Sequence, residues 1–99
     1  MFIINITYTA NLEQIDAIIE KHVTFLNEQY ELGNFIASGR KVPRTGGIIL
    51  SNINSKTELE KIIEKDPFKT NQLADYDMIE FIPTKASEAL HFLLEESNF

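Results

Sequence analysis

A chain of 99 residues has the size of one ordinary domain, and its 43% apolar and 24% charged residues are typical of globular proteins, not of disordered or membrane proteins. Nine basic and fifteen acidic residues give a net charge of −6, which repels phosphate backbones and argues against a nucleic-acid partner. The absence of cysteine excludes disulfides, thiolate metal sites and a cysteine nucleophile.

The N-terminal third predicts a strand followed by a long helix. Residues 2–8 are rich in β-branched side chains and carry apolar groups on both faces, which is typical of a central strand. Asn11 can cap the following helix, and Gln14 completes a capping-box-like pair. The helix is expected to end near Leu32, because Gly33 is a favoured residue after a helix C-terminus.

The remaining two thirds predict a hairpin, a second helix, a fourth strand and a C-terminal helix. Ser55 and Glu58 form a capping box that opens the second helix, and Pro67 ends it. The predicted bounds are strands at 34–41 and 46–51 around a turn at 42–45, a helix from 55 to 65 or 66, a loop at 67–74, a strand at 76–82 and a helix at 85–95.

The order of these elements, β-α-β-β-α-β plus a C-terminal helix, is the ferredoxin-like pattern of the α+β class. We expect an antiparallel sheet with both crossover helices on one face, in a domain over residues 1–83. A helical extension over residues 84–99 is expected to pack through Leu90, Leu93 and Leu94. The opposite sheet face is left uncovered, and a second copy of the chain is its simplest cover, which predicts a homodimer.

Neither a membrane span nor a signal peptide is indicated. The longest apolar runs, at residues 2–4 and 47–50, are far shorter than the roughly 20 residues that cross a bilayer. The first residues lack the basic region and the small residues of a cleavable signal. We therefore expect a soluble cytoplasmic protein without a membrane partner.

One of the two histidines, His22, lies on the predicted inner face of the first helix. That face consists of Leu12, Ile15, Ile19, His22, Leu26 and Tyr30, spaced three or four residues apart. A leucine would fill this position better, so His22 is a candidate functional residue. The alternative is a core histidine satisfied by a hydrogen bond. His91, on the predicted C-terminal helix, is not favoured as a functional residue.

Three polar residues from three elements are predicted at a similar height above one end of the sheet. With about 1.5 Å per helical residue, His22 lies roughly 15 Å above that end, and Asp66, at the end of the second helix, roughly 16 Å. Ser38 lies roughly 17 Å up in the second strand, at about 3.3 Å per residue. The three side chains can therefore converge, although an aspartate before proline is also a common helix terminator.

The residues around these positions resemble the YciI-like, or YCII-related, domain family over about residues 2–82. The matching motifs are His22 with Phe25-Leu26, Ser38-Gly39, and Asp66-Pro67-Phe68. The resemblance implies a ferredoxin-like fold, dimers of the α+β-barrel type and a His-Asp active site; one relative that uses such a dyad is a dehydrochlorinase. It implies that His22 is the general base and that Asp66 orients it. It also implies a pocket lining of Ser38, Gly39, Arg40 and Phe68.

A His-Asp pair is suited to proton transfer. An ordinary histidine gains and loses a proton near neutral pH, and a neighbouring carboxylate fixes its tautomer and stabilises its charged form. Two ligands fall short of the three that a protein metal site needs, so no metal or other cofactor is expected. The sequence contains no nucleophile elbow, glycine-rich phosphate loop or HExxH motif.

Three basic residues, Arg40, Lys41 and Arg44, cluster within five positions of an otherwise acidic chain. They form either a solvated hairpin tip or a positive rim for an anionic substrate. Arg40 also stands where the family usually has proline after Ser-Gly, which leaves the local turn and the substrate preference open.

Three functions remain open at this point, and whether the chain is an enzyme is one of the open questions. A cavity beside His22 with Asp66 in hydrogen-bond reach favours a small cofactor-independent enzyme for proton transfer or elimination. A cavity without the pair in reach favours a non-catalytic dimer that binds a small molecule. A packed His22 bonded to backbone favours an interaction module.

Overall fold

A computed structural model describes residues 1–95 of the chain. In chain order its elements are β1 (Phe2–Tyr8), α1 (Leu12–Glu31), β2 (Phe35–Arg40), β3 (Gly46–Ser51), α2 (Lys56–Ile63), α3 (Pro67–Thr70), β4 (Ala74–Glu80), a 3-10 turn (Glu88–Leu90) and α4 (Phe92–Glu95). No helix among the described residues is long and apolar enough to cross a membrane.

The first two helices begin at the predicted capping residues, and α1 also ends where predicted. The second helix, α2, ends at Ile63, two or three residues before the predicted end at 65 or 66. Asn11 Oδ1 accepts a hydrogen bond from the backbone N–H of Gln14 at 2.9 Å. Gly33 follows the last turn of α1 with a φ of +76°, a left-handed conformation that favours glycine. Ser55 Oγ accepts from the backbone N–H of Glu58 at 3.3 Å and opens α2.

Two predicted boundaries between residues 67 and 82 are wrong. Residues 67–70 form α3 instead of a loop, because the side chain of Asp66 caps this turn and Pro67 is favourable at a first helical position. The strand predicted at 76–82 is β4, which begins and ends two residues earlier.

The C-terminal helix is shorter than the predicted span of 85–95. The structure has only a 3-10 turn and the four-residue α4 there, and no residue of the 3-10 turn is buried. Because short helices depend on packing, an exposed segment does not sustain a longer one. Of the expected packing residues, Leu90 is 46% exposed, and Leu93 and Leu94 are half-buried. Residues 96–99 of the predicted extension lie outside the described residues.

The four strands form one antiparallel sheet in the order β2-β3-β1-β4. Ile4 in β1 lies between Ile49 in β3 and Met78 in β4, on the face that carries the helices. The main core consists of Phe2, Ile4, Ile6, Phe35 and Ile49 from the sheet and Phe25, Leu59 and Ile63 from the helices. This is the α+β ferredoxin-like fold, which confirms the predicted fold class.

A bulge in β2 decides which of its side chains face the helices. The pairing with β3 shifts between Phe35 and Ala37, so the alternation of the strand changes by one residue. Ser38 therefore lies opposite the buried Ile49 and, with Arg40, shares the helix-facing side with Phe35.

The other face of the sheet is left uncovered by the described elements, residues 1–95. A row of apolar side chains crosses all four strands there, formed by Ala37, Leu50, Ile3 and Ile79. Ile79 is 49% exposed, and Ile3 and Leu50 are half-buried. A continuous apolar surface of this kind is typical of an interaction surface.

Candidate functional site

His22 and Asp66 form a buried, hydrogen-bonded pair. His22 lies on α1 and is 8% exposed, while Asp66 stands between α2 and α3 and is fully buried. Nδ1 of His22 is 2.7 Å from Oδ1 of Asp66. The fold thus brings together two residues that are 44 positions apart in the chain, as their predicted heights indicated.

Three hydrogen bonds hold the carboxylate of Asp66. Oδ1 also accepts from the backbone N–H of Phe68 at 3.1 Å, and Oδ2 accepts from the hydroxyl of Tyr76 at 2.5 Å. Burial and the charge of Asp66 raise the pKa of Tyr76, so its hydroxyl stays a donor. When Asp66 is ionised, its carboxylate only accepts, so a neutral His22 then donates from Nδ1 and carries its free lone pair on Nε2.

A cavity of about 180 Å³ opens beside His22, between α1 and the hairpin of β2 and β3. Four of the residues selected from the sequence line it, namely His22, Ser38, Gly39 and Arg40. Nε2 of His22 makes no hydrogen bond among the described residues, and no buried side-chain N or O atom of these residues lacks a partner. Nε2 is therefore the ring nitrogen that faces the cavity.

Asp66 and Phe68 are not part of the cavity lining. The sequence placed Phe68 there, but α3 turns its side chain into a small core with Ile15 and Leu73, where it is 1% exposed. Its ring stacks on the imidazole of His22, with centroids 4.1 Å apart and planes inclined by 13°. Asp66 and Phe68 therefore contact the histidine ring from the protein interior and not from the cavity.

Of the three clustered cations, only Arg40 lines the cavity. Arg44 is paired with Asp16 at 2.5 Å, and this hydrogen bond raises the pKa of Arg44. Lys41 donates to the hydroxyl of Thr7 at 3.2 Å. Arg40 makes no ion pair among residues 1–95, so its charge is available to a ligand.

A larger cavity of about 690 Å³ lies at the opposite end of the sheet. Among the described residues its lining contains asparagines, apolar residues and two glutamates but no histidine, and it includes Asn34, Asn52, Asn54, Glu58, Glu80, Ile82 and Leu93. Within the described part of the chain, no group of three or more His, Cys, Asp or Glu residues is arranged to hold a metal ion. The buried pair, and not cavity size, therefore locates the candidate site.

Two tyrosines at the site were not selected from the sequence. Tyr76 bonds Asp66, and the hydroxyl of Tyr30 is 2.7 Å from Oγ of Ser38. The alternation of β4 places Tyr76 on the helix-facing side of the sheet, and the periodicity of α1 places Tyr30 on the predicted inner face of that helix. That signal identifies the face but not the polar partner, and a tyrosine in such a position is ordinarily a core residue.

The chain matches a known family and a solved enzyme structure. A sequence profile of the YCII-related domain matches residues 1–82. The chain is similar in structure to a 5-chloro-2-hydroxyhydroquinone dehydrochlorinase from Burkholderia phenoliruptrix, solved in complex with 2,5-dihydroxybenzoquinone. The TM-score is 0.71 at 16% identity, over 89% of this chain and 96% of that chain, which establishes likeness of fold. No curated protein sequence matches the chain.

Proposed function

Since the chain belongs to the YCII-related domain family, we propose that it is a small enzyme that uses His22 as a general base and needs no cofactor. The observation that carries the proposal is the 2.7 Å hydrogen bond between His22 Nδ1 and Asp66 Oδ1, together with the position of His22 in the lining of a cavity. A core histidine would have its nitrogens satisfied by backbone. His22 instead has a buried carboxylate on one nitrogen and open space at the other.

The chemistry of this arrangement is proton transfer or elimination. Nε2 of His22 takes a proton from the substrate, and Asp66 stabilises the resulting imidazolium through Nδ1. In an elimination, the electron pair of the broken bond moves into the carbon framework, and the leaving group departs with its bonding pair. The imidazolium then releases the proton to solvent, or returns it to another atom of the substrate.

The substrate of this proposal is a small anion. The cavity is smaller than the roughly 300–1,000 Å³ typical of sites for drug-sized ligands, so it suits a molecule of about one ring. Arg40, which makes no ion pair within residues 1–95, supplies a positive charge in the cavity lining. The structurally similar dehydrochlorinase was solved with 2,5-dihydroxybenzoquinone, a single-ring compound with acidic hydroxyl groups.

The first assay is chloride release from 5-chloro-2-hydroxyhydroquinone, followed by a panel of small anionic ring compounds. We expect turnover of at least one compound by the native protein and its loss in His22→Asn. Binding of 2,5-dihydroxybenzoquinone without turnover of any compound would make the chain a non-catalytic binding protein. Turnover that survives in His22→Asn would reject His22 as the base.

The functional unit of the proposal is a homodimer formed through the uncovered sheet face. The apolar row that includes Ile3, Leu50 and Ile79 needs a cover, and a second copy supplies a self-complementary one. A stable interface of this kind should bury about 1,200–2,000 Å² in total. A monomeric mass in light scattering at micromolar concentration would contradict the proposed homodimer.

A further inference from the structure

We propose that Tyr76 is a positioning residue for the base, forming a Tyr76–Asp66–His22 relay in which its hydroxyl holds the far oxygen of the carboxylate. This inference rests on the proposed function, because positioning matters only where His22 works as a base. It adds a residue that the family motifs over His22, Ser38 and Asp66 do not contain.

The geometry of the carboxylate requires a second anchor. Asp66 is fully buried, and Oδ1 alone serves both His22 and the backbone N–H of Phe68. Within the described part of the chain, Oδ2 has one partner, the hydroxyl of Tyr76 at 2.5 Å. Without that donor, a buried charged oxygen would be left unsatisfied, which is costly in a protein interior. The carboxylate would then turn toward water or take up a proton.

Either response changes the tautomer of His22. If the carboxylate turns, Nδ1 loses the acceptor that keeps its proton in place. If Asp66 takes up a proton, it donates to Nδ1, and the neutral ring then carries its proton on Nε2. A ring protonated on Nε2 has no lone pair facing the cavity, so it cannot accept a proton from a substrate there.

The position of Tyr76 suits this role. Tyr76 lies on β4 opposite Ile6, with its side chain on the helix-facing side of the sheet and half-buried. The charged and titratable groups around it are Asp66, Lys69, whose Nζ is 5.5 Å from the ring centroid, and Tyr8. Of these, Asp66 is the group that accepts the hydrogen bond from the Tyr76 hydroxyl.

The test is a direct NMR measurement of the His22 tautomer at neutral pH, without substrate, using ¹⁵N-labelled imidazole rings. In the native protein we expect the Nδ1–H form to dominate. In Tyr76→Phe we expect the ratio of the Nδ1–H to the Nε2–H form to fall about tenfold, the size expected from the loss of one hydrogen bond to a charged group. Tyr30→Phe is the matched control, because its hydroxyl contacts Ser38 and not Asp66, and it should leave the ratio unchanged.

A second measurement keeps the side chain and changes only the strength of the donor. Replacing Tyr76 with 3-fluorotyrosine and then 3,5-difluorotyrosine makes the hydroxyl progressively more acidic. The Hδ1 signal of His22 should then move progressively upfield as the charge of Asp66 is drawn toward Tyr76. This arm does not depend on whether Tyr76→Phe folds.

An unchanged tautomer ratio in a folded Tyr76→Phe protein would overturn the relay. A chemical shift of the His22 Hδ1 signal that does not change on fluorination of Tyr76 would also overturn it. Both readouts are made on the free protein, so they can succeed even if no compound is ever turned over. Conversely, turnover that depends on His22 but not on Tyr76 would keep the proposed function and reject the relay.

Discussion

The imidazole of His22 lies almost parallel to the ring of Phe68, with centroids 4.1 Å apart, while Asp66, two residues earlier, holds its Nδ1. The segment 66–68 therefore sets both the tilt of the imidazole plane, through Phe68, and the rotation of the ring within that plane, through Asp66. The same carboxylate caps α3 and so fixes the conformation of this segment. In the proposed reaction, a base positioned in this way needs little reorganisation to meet a substrate.

Removing the base should abolish activity without unfolding the protein. His22→Asn keeps much of the side-chain volume but loses the proton acceptor, so turnover should fall by about 10²- to 10⁴-fold. Asp66→Asn should lower turnover less, because the carboxylate orients the ring and does not touch the substrate. Steady-state rates, with circular dichroism as the control for folding, separate these effects. Equal losses in the two variants would contradict the assigned division of roles.

Ligand affinity should depend on Arg40 and not on its neighbour. Arg40→Gln should weaken the binding of 2,5-dihydroxybenzoquinone roughly three- to tenfold, because one exposed charge-assisted contact is lost. Lys41→Gln is the matched control, since Lys41 donates to Thr7 and does not line the cavity. Isothermal titration at low and high salt measures both. A similar loss in the two variants would show that only the general charge of the hairpin matters.

The alkaline stability of the protein should report the buried hydroxyl of Tyr76. Burial and the charge of Asp66 raise its pKa in the folded state above the ordinary value of 10.0. Above pH 10 the unfolded chain loses this proton while the folded protein keeps it, so stability is lost as pH rises. The free energy of unfolding should fall by up to about 1.4 kcal/mol per pH unit relative to Tyr76→Phe.

Urea unfolding of the two proteins between pH 7 and 11 measures this difference. The difference in unfolding free energy between the native protein and Tyr76→Phe should be constant below pH 10 and should decrease above it. Tyrosinate absorbance of the folded native protein should also match that of folded Tyr76→Phe over the same range. A gap that stays constant to pH 11 would contradict a retained proton on Tyr76.

Two glycines at the hairpin should differ sharply in their tolerance of a methyl group. A Cβ on Gly46 would lie 1.8 Å from the carbonyl oxygen of Ile6, whereas a Cβ on Gly39 would meet nothing within 4 Å. Gly46→Ala should therefore cost about 1–3 kcal/mol of unfolding free energy, because the paired backbones must separate. Gly39→Ala should stay within about 0.5 kcal/mol of the native protein. Thermal and urea unfolding compare them.

Dimer formation should depend on the apolar row of the uncovered sheet face, which ends at Ile79 on the edge strand β4. Ile79→Lys places a charge in the apolar row and should shift the mass in light scattering to that of a monomer, while the fold is retained. Leu32→Lys, at an apolar residue that is 70% exposed but not on the sheet, is the control and should remain dimeric. Two unchanged masses would place any interface elsewhere.

The C-terminal segment should matter more for the dimer than for the domain. None of the residues from Phe81 to Leu94 is buried, although Phe81, Ile82, Leu90 and Phe92 are large and apolar. Deleting residues 84–99 should therefore weaken dimer affinity and leave the unfolding of the domain little changed. A truncated chain that is as dimeric and as stable as the native one would show that the segment is dispensable.

The sequence by itself determined the order of the four strands and the two crossover helices, and most of their ends. These features depend on local chemistry: Asn11 and Ser55 cap helices through their own side chains, and Gly33 adopts a positive φ that other residues resist. Hydropathy alternation then placed the strands, and β-α-β-β-α-β connectivity left one plausible fold.

Only the tertiary structure decided how the site is completed. The bulge in β2 turns Ser38 and Arg40 toward the helices, and nothing in the local sequence marks where such a shift in register occurs. Tyr76 reaches Asp66 from another element, and Phe68 leaves the predicted pocket lining because α3 folds where a loop was expected. Spacing along one element predicts the face on which a side chain lies. Its hydrogen-bond partner depends on how elements distant in sequence pack together, and distances of a few tenths of an ångström then separate a hydrogen bond from none.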